Sequence, residues 1–339
     1  MRYFLIAASI MAAGSAHAAT STIEKVKERG MLNCGTDDTA PGFGYLNPAT
    51  GKMEGMDVDM CKAVAAAVLG DASKVNFVHV TAKSRFTALQ ANLVDVVYDY
   101  TTVLSARDAN IGIDFLPVYF WDGTGVMVKS DANLSNLGEM EGATLCTIQG
   151  SGNETIISSY IKEHAWKAET PVLTFDNLEK VFAALNAGRC NAMITDKSSL
   201  AAYRGNSVNP EAYTILPETL LKSPFAGFVL ENDSKWRDAL SWITYALFQA
   251  EESDISQASL EEAKKSADPF VRKFLGVSDG FGSQFGLSDQ FAAQTISQVG
   301  NYSDIYERNI GPSTPFSIPR KGTSNAAAKD GGLLISPSW

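Results

Sequence analysis

Histidine is nearly missing from this chain, with three residues in 339, at positions 17, 79 and 164. A multi-histidine metal centre or a Ser-His-Asp triad has little material to draw on, so no metal is expected. Cysteine is almost as scarce. Cys34, Cys61, Cys146 and Cys190 include no C-x2-C pair of the zinc-site type. Positive charge is the minority, 28 Lys and Arg against 38 Asp and Glu. No basic cluster breaks that field, which repels phosphate backbones and anionic lipid headgroups and excludes nucleic acid as a partner. No stretch reaches membrane-spanning length either. What is present is an apolar fraction of 45% with 19% charged residues, ordinary for a folded soluble protein with a sizeable core.

The first residues belong to no such core. MRYFLIAASIMAAGSAHAA carries Arg2, an apolar run through Ala13, and small residues around Ala16-His17-Ala18 that fit an A-x-A cleavage site. A secretory signal peptide over residues 1–18 is expected, and with it a soluble, exported chain. Its removal takes away Arg2, leaving 27 basic residues against the 38 acidic ones and a net charge of −11. No cysteine stands at the cleavage point, which argues against a lipid anchor.

The chain then repeats itself. FTALQANLVDVVYD (86–99) and FAALNAGRCNAMITD (182–196) share F-x-A-L-x-A, an apolar run and a final aspartate, Asp99 or Asp196. Ahead of them, GMLNC (30–34) and GATLC (142–146) share G-x-x-x-C. Each unit reads as strand, loop, helix, short amphipathic turn, strand, which predicts an α/β sheet in each of two halves. DVDMCKAVAAAVLG supplies the first helix, with Val58, Cys61, Val64, Ala65, Val68 and Leu69 on one face and Gly70 closing it. In open α/β sheets ligands sit beyond the carboxyl ends of strands, where both aspartates fall. Two apolar segments, near 117–122 and 224–229, read as strands crossing between the halves. Lobe I would then be 19–118 with 229–339, and lobe II 119–228. Asp233 or Ser234 can cap a helix bearing Trp236, Leu240, Ile243 and Leu247, and Ser288 one bearing Phe291, Ile296 and Val299. Residues 312–339 lack periodicity and are expected along the surface.

Four cysteines allow three pairings, and export permits disulfides. Cys34–Cys61 with Cys146–Cys190 keeps a bridge within each repeat, whereas either alternative ties the halves together.

GMDVDMCKAVAAAVLGDASKV, RFTALQ, GRC, TDKSSL and VGNYSDIYERNIG, in this order, resemble the periplasmic polar amino-acid-binding proteins of ABC importers, above all the branch that binds L-amino acids broadly. The resemblance spans nearly the whole chain after the leader. It implies a two-lobe periplasmic binding protein-like fold of type II, a mixed sheet in each lobe flanked by helices and two hinge strands between. It implies capture of a free L-amino acid by cleft closure and delivery to ABC permease subunits in the membrane, by a monomer without a cofactor. Residue by residue, Arg107 takes the place of the arginine that clamps the ligand α-carboxylate, which suits a bidentate guanidinium. Thr102 takes that of a hydroxyl near the ammonium. Gly150 and Ser151 lie in the loop that offers N–H groups to the carboxylate, and Asp196 takes the place of the acid that pairs with the α-ammonium. Taken singly, Arg107 could be a solvated arginine, Asp196 a helix cap and Ser151 turn chemistry; agreement with the family's order raises them to ligand contacts.

The chain also departs from that pattern. Asp99-Tyr100 stands where the branch carries Arg-Asn, and Val103 where it often carries Trp. Asp99 and Asp37 correspond to positions that face the ligand's side chain. Family members often stack an aromatic ring near Ala40, so Phe43 or Tyr100 is left to supply the apolar wall. Two unpaired carboxylates there would disfavour acidic ligands, so cationic or neutral polar amino acids are expected; the alternative for Asp99 is solvent or a lysine such as Lys197. A rival reading is an exported dehydratase of the prephenate or arogenate type on the same scaffold, with Asp99 or Asp196 moving a proton.

Overall fold

The computed structural model describes residues 21–339; the signal peptide expected at 1–18 lies outside them. Its strands are, in chain order, β1 Leu32–Thr36, β2 Thr39–Ala40, β3 Gly44–Asn47, β4 Lys52–Glu54, β5 Val75–His79, β6 Val96–Val97, β7 Ile113–Lys129, β8 Leu145–Ile148, β9 Val172–Phe175, β10 Ala192–Asp196, β11 Tyr213–Ile215 and β12 Lys222–Leu230. The strands β2, β3 and β4 make a small antiparallel sheet. The others join in the order β5-β1-β6-β12-β7-β10-β8-β9, with β11 on the other edge of β7.

The sequence repeat is visible in this order. β1 pairs in parallel with β5 and β6, and β8 pairs in parallel with β9 and β10. Each G-x-x-x-C strand is thus the centre of a parallel trio, and each F-x-A-L-x-A helix leads into the inner strand, β6 or β10. The long strands join the trios. β7 pairs antiparallel with β12 from Ile113 to Gly123 and with β10 from Thr124 to Val128. Both segments read as crossing strands lie within β7 and β12. Val96–Val97 is shorter than the apolar run suggested, because the chain turns at Asp99 and Tyr100, where φ is +28°.

The helix at 56–69 is buried on nearly every side rather than along one stripe. Helices Ser234–Glu252, Phe291–Val299 and Tyr302–Asn309 cover what would otherwise face solvent. Asp233 caps the first of these, its Oδ1 accepting from Trp236 N–H at 3.1 Å. Residues after 312 carry little regular structure, as the missing periodicity predicts, but they are anchored rather than laid on the surface. Asn325, nearly buried, brackets Trp121 in β7, donating from Nδ2 to its carbonyl at 2.7 Å and accepting its N–H at 2.6 Å. Arg320 forks onto Glu251 at 2.7 and 3.1 Å.

Both disulfides stay within a repeat, Cys34–Cys61 and Cys146–Cys190. They are not equivalent: the first ties β1 to the buried helix, the second ties β8 to the turn before β10. With sequence separations of 27 and 44, loop entropy gives about 3.5 and 4 kcal/mol as upper-end contributions.

Candidate ligand-binding site

Both repeat-closing aspartates are buried, Asp99 just past β6 and Asp196 at the end of β10. Between them lies Arg107, on the short helix Ser105–Asn110 and only 8% exposed. Its Nη1 donates to the Thr102 carbonyl at 2.9 Å, and its guanidinium lies 5.5 Å from the centre of the Phe86 ring. These contacts hold the side chain from one side and leave its fork open. Burial, then the positive charge of Arg85, pushes the pKa of Arg107 down to about 9, while Asp196 and Asp99 pull it back up. Positions 99 and 107 of the first repeat and position 196 of the second therefore share one electrostatic site. A buried cation of this kind gains from a carboxylate partner.

The second repeat supplies the facing surface. After β8 the chain turns at Gly150, where φ is +74° and a Cβ would meet the Lys83 backbone at 3.3 Å; glycine serves both the left-handed turn and the close approach. Ser151 then caps the helix Gly152–Glu163, its Oγ accepting from Glu154 N–H at 3.2 Å and donating to the Ile148 carbonyl at 2.7 Å. The Ser151 hydroxyl is thereby engaged, and the anion-binding capacity lies with the first N–H groups of the helix. That end lies close to the cation: a Cβ on Gly152 would sit 3.8 Å from Arg107 Nη2. On the helix's next residue, Asn153 Nδ2 donates to Asp196 Oδ2 at 3.2 Å and its Oδ1 accepts from Thr124 Oγ1 at 2.6 Å. Asp196 Oδ1 is buried without a hydrogen-bond partner. Burial raises the Asp196 pKa, against the hydrogen bond from Asn153 and the charge of Arg85. An ammonium group placed there would restore the carboxylate. Nearby Asp122, in β7, is pushed up to about 7 by burial and then by the charge of Asp196.

The remaining sequence candidates are placed differently from a wall of two unpaired acids. Asp37 Oδ1 accepts from the N–H groups of Asp38 and Thr39 at 2.7 and 2.8 Å, and its Oδ2 accepts from Tyr100 OH at 2.8 Å. Asp99 Oδ2 lies 3.3 Å from Arg85 Nη1, which also donates to the Asp99 carbonyl at 3.0 Å. Lys197 reaches instead to the Pro217 carbonyl at 3.0 Å. Burial lifts the Asp99 pKa well above the usual carboxylate range, with Arg85 opposing the rise. Phe43 is 1% exposed, packed with Tyr100, Phe120 and Phe225. Tyr100 N–H donates to Asp57 Oδ2 at 2.9 Å, and Asp57, pushed to about 7 by burial, also accepts from Tyr119 OH. Thr102, nearly buried, lends its carbonyl to Arg107.

Sequence reading passed over Arg85 and Asn153. Arg85 opens the RFTALQ helix, and a charge at the head of a buried helix was the available signal; Asn153 has no signal beyond its place in the G-S-G-N loop. Among the described residues, Asp37, Asp38 and His79 form a grouping of metal-type donors within 4.8 Å of one another. Their own contacts account for them, since His79 Nδ1 lies 3.0 Å from Asp38 Oδ1 and Asp37 is held as above. The two repeats also touch directly, Tyr203 OH donating to the Thr39 carbonyl at 2.8 Å.

Comparison with known proteins gives the family. Residues 32–262 match the model of the bacterial extracellular solute-binding proteins, family 3. The general L-amino acid-binding periplasmic protein of Rhizobium johnstonii is 40% identical over 334 residues, covering 98% of this chain and 96% of its own. The glutamate/glutamine/aspartate/asparagine-binding protein of Rhodobacter capsulatus is 39% identical over 337 residues, covering 98% and 97%. Among solved structures, an ABC transporter periplasmic binding protein from Brucella ovis with glutathione bound superposes with a TM-score of 0.88 at 38% identity, covering 94% of this chain and 99% of that one. It shares the two-lobe α/β fold. These relatives are binding components of ABC transporters, not enzymes, and the dehydratase alternative finds no support in them. The chain belongs to the bacterial extracellular solute-binding proteins of family 3.

Proposed function

We propose that this chain captures the α-amino-acid head group of a small ligand in the cleft between two lobes and hands it to the membrane subunits of an ABC importer. The lobes would be 19–118 with 229–339 and 119–228, hinging near 117–122 and 224–229. The observation that carries the reading is the arrangement around Arg107. A buried, under-bonded guanidinium faces a helix N-terminus, and within its field lies the buried Asp196 with a free carboxylate oxygen. A carboxylate bound between Arg107 and the helix, with an ammonium on Asp196, satisfies every one of these groups. Each ionic contact contributes about 1.5–3 kcal/mol once water is expelled. Arg107 and Thr102 come from one lobe and Ser151, Gly152 and Asp196 from the other, so closure gains contacts that an open cleft lacks.

A free L-amino acid is the simplest such ligand, consistent with the names of the Rhizobium and Rhodobacter relatives. A γ-glutamyl peptide carries the same head group, and the glutathione of the Brucella structure favours it as a second reading. Export by the leader at 1–18, a monomeric state and a permease partner complete the proposal. No helix among the described residues is long and apolar enough to cross a membrane. Purification without added ligand, denaturation and mass spectrometry of what is released tests it. An amino acid or γ-glutamyl peptide supports the reading. An empty protein that binds neither class in calorimetry refutes it.

A further inference from the structure

The family match ends at residue 262, and the chain beyond it reaches back to the crossing strand β7. Tyr302 OH donates to the Tyr119 carbonyl at 2.5 Å, and Asn325 brackets Trp121 as above. Between these two anchors runs the loop 310–318, closed on itself by Ile318 N–H donating to the Ile310 carbonyl at 3.0 Å. The loop meets both repeats. On the first, a Cβ at Gly42 would meet Ile310 Cγ2 at 2.8 Å and the Phe316 ring at 3.1 Å. On the second, a Cβ at Gly205 would meet the Pro315 carbonyl oxygen at 2.4 Å.

Gly205 ends the helix Lys197–Gly205. The head of that helix is held by the crossing strand, Ser198 N–H and Oγ–H both donating to Asp122 Oδ2. Its other end lies about 10 Å away at the helical rise per residue. There Tyr203 OH donates to the Thr39 carbonyl of the first repeat, and Gly205 abuts the tail loop. The helix is thus placed as a lever, pivoting at β7 with its tip on the tail. Gly205 does not have the positive φ that favours glycine, so the close approach alone excludes a side chain.

We infer that loop 310–318 is a stop for cleft closure: the tip of the Lys197–Gly205 helix lands on Pro315 when the lobes close and leaves it when they open. The inference rests on the two-lobe reading above and adds a role for the C-terminal extension, which sets the closed angle. Phe316 seats the loop on Gly42, so the first repeat backs it against the arriving helix. A side chain at 205 would act as a wedge between the lobes.

Small-angle scattering and thermal melts of the full chain test it, on the wild type, Gly205→Ala and Gly205→Leu. Each is measured with and without an equimolar mixture of the standard L-amino acids and glutathione. The wild type should contract and melt higher with the mixture. Gly205→Ala should contract less, and its apparent affinity should fall about fivefold or more, as overpacking against a fixed backbone atom requires. Gly205→Leu should contract less still. Ligand-free, both variants should melt at the wild-type temperature or above, because Ala and Leu favour a helix over Gly and the open form makes no contact at 205. Variants that contract and bind as the wild type does would overturn the inference. So would a ligand-free melting temperature that falls with side-chain size, since the contact would then be a permanent part of the fold. A wild type that neither contracts nor is stabilised by the mixture would overturn the capture reading, and this inference with it.

Discussion

Arg107→Ala is the sharpest perturbation of the proposed site, because it separates binding from folding. The Arg107 side chain makes a single hydrogen bond among the described residues, to the Thr102 carbonyl. Its stacking on Phe86 is the other contact of note. Against that stands a burial cost large enough to bring a guanidinium pKa down to about 9. Each pKa unit is about 1.4 kcal/mol, so keeping this cation in the fold costs on the order of a few kcal/mol. The ligand-free variant should therefore melt at the wild-type temperature or above it. Binding should behave in the opposite way. Loss of a bidentate, desolvated carboxylate contact costs about 2–5 kcal/mol, a fall of roughly 30-fold to several thousandfold in affinity. Differential scanning fluorimetry reads both quantities. At a ligand concentration 100 times Kd the wild type gains about 2.7 kcal/mol, or about 4 °C for a chain of this length. The variant should shift by about 1 °C or less at the same concentration. Affinity within threefold of wild type, or a ligand-free variant that has lost its cooperative melt, would refute the reasoning.

Tyr203→Phe removes the hydroxyl that bridges the halves at the Thr39 carbonyl; loss of about 1 kcal/mol should speed ligand release roughly fivefold, and an unchanged dissociation rate in stopped-flow measurements would count against a closing contact. Asp196 gives a pH dependence: burial raises its pKa in the empty site and a bound ammonium would lower it, so binding should release protons, and weaken, as acidification reaches the raised pKa. Calorimetry in buffers of different ionisation enthalpy checks this, and an affinity that does not fall on acidification would contradict it. The ligand-free fold should respond the other way. Asp57 and Asp122, pushed to about 7, are more protonated in the folded than in the unfolded chain between pH 4 and 7, so their contribution is largest at low pH and is lost on passing 7; the melting temperature should rise from pH 7.5 to 5.

The amino-acid sequence by itself determined the plan of the molecule. The doubled G-x-x-x-C and F-x-A-L-x-A segments mark the two parallel trios, because apolar periodicity and turn residues are local signals that any chain must obey to bury its strands. The positions of Arg107, Gly150, Ser151 and Asp196 were legible through their order along that plan. Partnership was not. The helix at 56–69 looked one-sided because its covering helices all lie beyond residue 233. Arg85 looked like an ordinary helix opener, and Asp99 like a free acid. Which buried charge meets which, and which oxygen is left over, depends on separations of a few ångströms between segments distant in sequence. Coulomb and hydrogen-bond energies change steeply over that range, so only the tertiary structure decided them.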